Sequence, residues 1–189
     1  MGAYKSLVMI DPEIAKGDKS VDYSELKVPL SKQIVALHHQ FIASALTVKL
    51  AHEIDPNNKV GCMIGYITQY PLTSHPKDIL KAQEIDRILN KFSSDVSVRG
   101  EYPSYIHNWF HENNIELEIT QEDAEILKEG TVDFYAFSYY MSNCATFRSD
   151  VEVVHGNLMG GVKNEYLETT DWGWQLDPQG LTYTLNDLW

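Results

Sequence analysis

A largely apolar stretch of the chain follows a turn signal at Glu129-Gly130. From Thr131 the residues are apolar almost throughout as far as Phe137, and hydroxyl-bearing side chains become frequent over Ser138–Ser142. A short, continuous apolar run of this kind is typical of a strand buried on both faces, as in parallel sheets. Its polar end predicts the rim of an active site, because ligands bind outside the carboxyl ends of such strands. The alternative is a core strand that ends in a polar turn.

A second stretch has the same pattern. Lys59–Ile67 is largely apolar and ends in Thr68, Gln69 and Tyr70. The sequence therefore predicts two long buried strands whose polar ends are equivalent.

Helical spacing predicts most of the remaining elements. One helix begins at Pro29 or Ser31, and Asp55-Pro56 ends it. A helix with Pro76 in its first turn is expected to be capped by Thr73 or Ser74. The first helix presents one face at helical spacing: Ile34, Leu37, His38, Phe41, Ala45 and Val48.

Shorter elements follow in the second half of the chain. A helix is predicted over Pro103–Glu112, and the alternation within Ile115–Ile119 favours a short strand. Thr120–Asp123 has the spacing of a capping box at the start of a helix that Gly130 ends. Residues 1–28 are predicted to be a surface loop and residues 143–170 to be irregular. A last helix is expected from Asp177-Pro178.

The order of helix, strand, helices and strand is typical of parallel βα units. Two parallel strands do not make a stable sheet alone, and a complete (β/α)8 barrel needs about 250 residues. The chain has 189 residues. The fold class predicted is therefore α/β, a partial (β/α)8 barrel.

Charge and cysteine content exclude several functions. The net charge of −12 argues against nucleic acid or an anionic membrane surface as a partner. The two cysteines, Cys62 and Cys144, form no paired-spacing framework. We therefore expect reduced thiols and a cytoplasmic protein. No apolar run of about 18 residues and no signal peptide are recognised.

Eight strings of residues, taken in order, carry a family resemblance. The chain closely resembles the middle of bacterial 6-phospho-β-glucosidases of glycoside hydrolase family 1, over about residues 31–189, with 1–30 as a variable loop. The strings are His38–Leu46, Gly61–Met63, Tyr70–Thr73, Val98–Pro103, Thr131–Phe134, Phe137–Ser142, Asn157–Asn164 and Trp172–Leu181.

The resemblance implies a fragment of a single barrel domain, with Lys59–Ile67 as strand five and Val132–Tyr140 as strand six. It implies retaining hydrolysis of phosphorylated β-glucosides, without a metal or organic cofactor. Retention needs two carboxyl groups about 5–5.5 Å apart. The family carries them in Thr-Phe-Asn-Glu and Glu-Asn-Gly strings, and neither string occurs here. We therefore expect no catalytic residue in this chain and no activity of the chain alone. The alternatives are a complementing subunit of a split glycosidase and a non-catalytic sugar-phosphate binding module.

Four residues receive site roles from the resemblance. Tyr140 matches the tyrosine that donates a hydrogen bond to the nucleophile carboxylate, and Ser138 matches a position that is commonly Asn in the wider family. Core and rim packing is the alternative for both. Trp172 and Trp174 are candidates for a platform beside the leaving group, or they anchor their loop by burying area.

His107 and His111 have the spacing of a helical zinc pair. The metalloprotease glutamate and a third ligand are missing. We expect no metal site.

Overall fold

The computed structural model describes residues 29–154 and 161–189. They fall into two compact units. Unit one takes in the described residues up to Cys62 together with Phe92–Tyr135. Unit two takes in Met63–Lys91 and the described part of Ala136–Trp189. The predicted loop over residues 1–28 lies outside the described residues. The division of the chain into one barrel-domain fragment with a variable start stays a prediction.

Six α-helices, one π-helical turn and four strands are described in these ranges. β1 and β2 are long, and β3 and β4 are two-residue strands. In chain order the elements are α1 (Leu30–Ile54), β1 (Gly61–Pro71), α2 (Pro76–Asp86), the π turn (Arg87–Lys91), α3 (Phe92–Arg99), α4 (Ser104–Glu112), α5 (Gln121–Glu129), β2 (Phe134–Ala145), β3 (Val153–Val154), β4 (Gly161–Val162) and α6 (Pro178–Leu188).

The four strands form one mixed sheet in the order β1-β2-β4-β3. β4 runs antiparallel to both of its neighbours, with Cys144 opposite Val162 and Val153 also opposite Val162. The two short strands therefore extend the sheet beyond β2 in the region predicted to be irregular.

Unit one is held together by an aromatic and aliphatic core. Phe92 is 2% exposed, and its ring lies 5.5 Å from the rings of Phe41 and Tyr102 and 6.0 Å from that of Phe110. α1 approaches the end of α5 closely at Gly130, where a Cβ atom would collide with the Ala45 carbonyl oxygen. Glycine at that position lets the two backbones touch.

Polar side chains tie the ends of elements in unit one. Thr120 and Asp123 form the predicted capping box at the start of α5. His38 is buried; its Nδ1 lies 2.9 Å from the Tyr102 hydroxyl and its Nε2 lies 3.5 Å from the Asp123 carboxylate. The bond between Lys49 and Glu129 joins α1 to the end of α5.

Buried hydrogen bonds contribute more to the interior of unit two than to that of unit one. The Asn90 side chain, on the π turn, pairs with both backbone groups of Ile67 in β1: its Oδ1 accepts the N–H at 3.1 Å and its Nδ2 donates to the carbonyl at 2.8 Å. Thr68 and Thr184 are both about fully buried, and their hydroxyl oxygens lie 2.5 Å apart. Thr184 also donates to the Gly180 carbonyl at 2.8 Å.

Several sequence predictions need correction. Residues 115–119 are not a strand, although the alternation favoured one. The N-cap of α2 is His75 instead of Thr73 or Ser74, because the His75 ring accepts the Lys77 N–H. Burial on both faces is wrong for the parts of the long strands that precede their buried residues: Met63 is 69% and Tyr140 57% exposed.

α1 corrects another expectation. It is long and apolar enough to cross a membrane by length and composition, with a mean hydropathy of 1.3. No continuous apolar run marks this helix in the sequence, because polar residues such as His39 and Gln40 interrupt it. A core helix of a soluble protein passes the same test, and α1 buries one face in unit one: Ile34, His38, Phe41, Ala45 and Val48.

Candidate functional site

Tyr140 and Ser138 lie on the open face of β2. The Ser138 hydroxyl donates to the Met63 sulfur at 3.4 Å, which is a weak acceptor. The Tyr140 side chain is more than half exposed. Its ring packs on Trp174, with centroids 5.7 Å apart and planes inclined by 60°. Tyr140 is thus accessible, Ser138 is partly so, and Trp174, one of the two candidate tryptophans, supports the Tyr140 ring.

The structure separates the two tryptophans. Trp172 is 66% exposed, whereas Trp174 is partly buried against Tyr140. A tight turn explains the difference. Thr170 accepts the Gly173 N–H at its carbonyl at 2.9 Å and the Trp174 N–H at its hydroxyl at 3.1 Å. Gly173 has a φ of 78°, a left-handed conformation that glycine adopts without strain.

Gln175 fixes the segment that carries Trp174. Its side chain is fully buried. The amide nitrogen donates to the Ser142 carbonyl at 3.1 Å and to the Asn143 side chain at 3.2 Å, and Oε1 accepts the Asn164 N–H at 2.6 Å. A buried amide with this many partners defines one position for its backbone, because each lost bond leaves a buried polar group unpaired.

Asp177 provides a second attachment of the same segment. Its carboxylate accepts the Ser142 hydroxyl at 2.6 Å and the Gly180 N–H at 2.8 Å, and so caps α6. Its backbone carbonyl accepts the Tyr139 hydroxyl at 2.8 Å. Burial, together with the negative charge of Asp177, raises the pKa of Tyr139 well above its usual range. Tyr139 therefore stays a protonated hydrogen-bond donor at neutral pH.

The described carboxyl ends of β1 and β2 carry hydroxyl, amide and aromatic groups but no carboxylate. No Asp or Glu occurs between Pro56 and Lys77 or between Phe134 and Ser149. Asp177, the buried carboxylate nearest in sequence to Trp174, accepts hydrogen bonds on both oxygens. Chemistry at Tyr140 is therefore limited to hydrogen bonding by its phenol.

A cavity of about 500 Å³ lies within unit two beyond the ends of β1 and β2. Two cationic side chains of its lining are paired, Arg148 with Asp150 at 2.9 Å and Lys163 with Glu152 at 2.8 Å. Burial raises the pKa of the Cys144 thiol in its wall to about 11. The thiol is therefore neutral at physiological pH, and the cavity offers no unpaired cation at these positions for an anion.

His107, one of the two histidines at zinc-pair spacing, packs against aromatic rings. The His107 ring lies 6.3 Å from Tyr102 and 6.4 Å from Phe110. Within residues 29–154 and 161–189, no group of three or more His, Cys, Asp or Glu side chains is placed to hold a metal ion.

Sequence reasoning missed Gln175 and Asp177 as the residues that position Trp174. Both lie inside the string Trp172–Leu181, which carried part of the family resemblance. Each is a polar residue between two apolar ones, which could have indicated a buried polar side chain. The residues that bond to them, such as Ser142, are distant in sequence, so the sequence alone could not identify these partners.

Comparison with known proteins identifies the class. The family described as glycosyl hydrolase family 1 matches residues 17–189. The chain belongs to this family, and its fold is part of an α/β barrel of the (β/α)8 type.

Among its relatives, an aryl-phospho-β-D-glucosidase of Bacillus subtilis is 50% identical over 168 residues, which are 88% of this chain and 36% of the relative. A 6-phospho-β-glucosidase of Clostridium longisporum is 49% identical over 166 residues, 86% of this chain and 35% of the relative. The chain thus spans about a third of the length of the curated relatives it matches.

Solved structures agree on the fold. A β-glucosidase of Exiguobacterium marinum superposes with a TM-score of 0.70 at 20% identity, covering 84% of this chain and 35% of that one. A family 1 β-glucosidase of Thermotoga maritima gives a TM-score of 0.68 at 20% identity, covering 85% of this chain and 34% of that one.

Proposed function

We propose that this chain is part of a retaining 6-phospho-β-glucosidase and supplies Tyr140, Ser138 and Trp174 to its active site. The relatives at 50% and 49% identity bear the names aryl-phospho-β-D-glucosidase and 6-phospho-β-glucosidase. The observation that carries the proposal is the exposed phenol of Tyr140, held by the ring of Trp174 on the strand next to Ser138.

The proposed role of Tyr140 is to orient a nucleophile. Retaining hydrolysis uses one carboxylate as nucleophile and one carboxyl group as acid and base. A phenol O–H that donates to the nucleophile stabilises its ionised form and fixes its direction. Trp174 limits the rotation of the Tyr140 ring, and the attachments of Gln175 and Asp177 limit the movement of Trp174. Ser138 and Trp172 are proposed to contact the substrate.

We further propose that the chain alone does not hydrolyse glycosides. Without the two family glutamate strings there is no nucleophile to form a covalent intermediate. The test is the release of nitrophenol from a nitrophenyl 6-phospho-β-glucoside by the purified chain. No turnover above the uncatalysed rate is expected. Turnover that co-purifies with the chain and falls on substitution of Tyr140 would contradict the proposal.

The second candidate function is complementation by a polypeptide that carries the rest of the barrel. The exposed Met63 and Tyr140 on neighbouring strands favour it, since barrel residues of this kind are normally covered by packed side chains. Co-expression with a polypeptide carrying both glutamate strings should then restore hydrolysis.

Two variants separate a specific role of the site from mere assembly. Tyr140→Phe should lower kcat of the reconstituted enzyme about 10-fold or more, because a hydrogen bond to the nucleophile is lost without loss of the ring. Trp172→Phe, at an exposed side chain, should leave assembly intact and act on KM. Failure of every co-expressed pair to assemble would exclude complementation.

A cytoplasmic location is part of the proposal, with no nucleic acid or membrane as partner. The two free cysteines and the charge of −12 support it. Fractionation of cells that express the tagged chain tests this, and recovery in the membrane pellet after a salt wash would contradict it.

A further inference from the structure

Asp78 is a fully buried carboxylate that no predicted function uses. It lies in the first turn of α2. Its Oδ2 accepts the Thr73 N–H at 3.1 Å and the Thr73 hydroxyl at 2.6 Å. Its Oδ1 accepts the Thr146 hydroxyl at 2.6 Å and the Phe147 N–H at 3.2 Å. The carboxylate thus binds two separate parts of the chain at once.

These two parts are the loops that follow the long strands. Thr73 comes two residues after the end of β1, and Thr146 comes directly after β2. The Leu72 N–H donates to the Ala145 carbonyl at 2.9 Å and brings the loops together at their start. The carboxyl ends of the strands are where ligands bind in barrels. Asp78 therefore bonds to loops at the carboxyl ends of β1 and β2, the side on which barrels bind their ligands.

Hydrogen bonds stabilise the Asp78 charge. The Thr146 and Thr73 hydroxyls hold the pKa of Asp78 below its usual range. Within the described residues no salt bridge to Asp78 is formed. Arg148, in the loop after β2, is paired with Asp150 instead. Removing one donor would leave part of a buried charge unsatisfied, which makes the four-bond arrangement specific.

We propose that Asp78 is a positioning residue that fixes the loops after β1 and β2 relative to each other and so sets the shape of the cavity beyond the strand ends. Thr73 and Leu72 from one loop and Arg148 from the other line that cavity. The proposal does not depend on the glycosidase function.

The experiment measures amide hydrogen exchange in the full 189-residue chain, residue by residue. In Asp78→Asn the side chain has one acceptor oxygen instead of two. Its NH2 group would face a backbone N–H, and two donors form no hydrogen bond. Exchange at Thr73 or Phe147 should rise about tenfold or more, since opening one loop no longer breaks a bond to a charged acceptor.

Thr146 offers a finer test. Thr146→Val removes the hydroxyl that bridges the loops and should speed exchange at Phe147, while Thr73 stays protected by its own bonds to Asp78. Thr146→Ser keeps the hydroxyl and should restore protection at Phe147. If Thr146 acted only through packing, Thr146→Val would leave exchange at Phe147 unchanged. Thr146→Ser, which loses the methyl group, would then be the variant with faster exchange.

Asp123→Asn is the matched control. Asp123 also lies in the first turn of a helix and accepts the N–H and hydroxyl of a single threonine, Thr120, at 2.9 and 2.8 Å. Its further contact, with His38 at 3.5 Å, is to helix α1 and not to a loop after a strand, so exchange at Thr73 and Phe147 should not change.

Two results would overturn the proposal. One is unchanged exchange at both amides in Asp78→Asn. The other is equal acceleration in Asp123→Asn, which would assign the effect to global destabilisation. If Asp78→Asn does not fold, the Thr146 pair decides: equal exchange at Phe147 in the Val and Ser variants rejects the proposal.

Discussion

The interiors of the two units are stabilised by different kinds of contact. Unit one buries large apolar side chains that contact each other through ring edges and faces, with Phe92 at the centre. Unit two buries a series of polar side chains that are hydrogen-bonded to each other and to the backbone: Thr68, Gln69, Asp78, Asn90, Ser142, Asn143, Gln175, Asp177 and Thr184.

The difference follows from what each unit carries. Apolar contacts are strong but non-directional, and a core built from them tolerates small shifts. Hydrogen bonds gain little net free energy, but they specify distance and angle, and breaking one in the interior is costly. Unit two carries Tyr140, Trp174 and the cavity, and a site of the kind proposed above needs side chains positioned within about 0.5 Å. Polar burial there stabilises one geometry.

The largest expected effect is in the apolar unit. Phe92→Ala should lower the free energy of unfolding by about 3–5 kcal/mol, because a buried ring is replaced by a cavity among Phe41, Tyr102 and Phe110. Urea denaturation measures it. Leu50→Ala is the control, since Leu50 is 55% exposed on α1 and should change stability by less than about 1 kcal/mol. Similar losses for the two variants would mean that unit one has no apolar core of this kind.

The next effect tests the polar unit. Gln175→Leu keeps the approximate volume but leaves the Asn164 N–H and the Ser142 carbonyl without their partner. A loss of about 1–3 kcal/mol is expected, together with a change in the fluorescence of Trp174 as its loop loosens.

The exposed Gln121, whose side chain bonds only to Glu125 among the described contacts, gives the control Gln121→Leu. A change within about 0.5 kcal/mol is expected there. If Gln175→Leu proved as stable as the original chain with unchanged fluorescence, the polar network would not be what positions Trp174.

Local signals predicted the elements that depend on neighbours in sequence. The capping box at Thr120 and Asp123 and the start of α6 at Asp177-Pro178 are confirmed, because both partners of each bond lie within three residues. The predicted face of α1 is confirmed except at Leu37, which is only partly buried, since helical spacing alone decides which residues share a side.

Long-range partners decided what the sequence could not predict. β4 forms because Val162 pairs with Cys144 and Val153. A strand of two residues is too short to show an alternating pattern in the sequence. Thr73 was expected to cap α2 but binds Asp78 instead, because the Asp78 side chain faces it. Within the candidate site, the resemblance named Trp172 and Trp174 alike, and only the turn at Gly173 placed one of them on Tyr140.

A smaller effect is expected at the buried hydroxyl pair of unit two. Thr68 donates to Thr184, which donates to the Gly180 carbonyl. Thr68→Val and Thr184→Val should each cost about 1 kcal/mol. A double-mutant cycle should show that the double variant loses less than the sum, because the two hydroxyls share one bond. Strict additivity would mean that the pair contributes through packing, as in unit one.

The smallest effect is an electrostatic one in the apolar unit and depends on pH. The Asp133 carboxylate accepts the Val60 N–H at 2.9 Å and lies 2.8 Å from His52 and 3.2 Å from Lys59. The bond from Val60, aided by His52 and Lys59, lowers the pKa of Asp133 to about 2. An aspartate with a lowered folded-state pKa stabilises the fold above its unfolded-state pKa and loses that contribution as the pH falls. The melting temperature should therefore fall between about pH 4 and pH 2 more steeply in the original chain than in Asp133→Asn. Parallel pH profiles for the two proteins would show that Asp133 adds no measurable electrostatic stabilisation to the apolar packing of unit one.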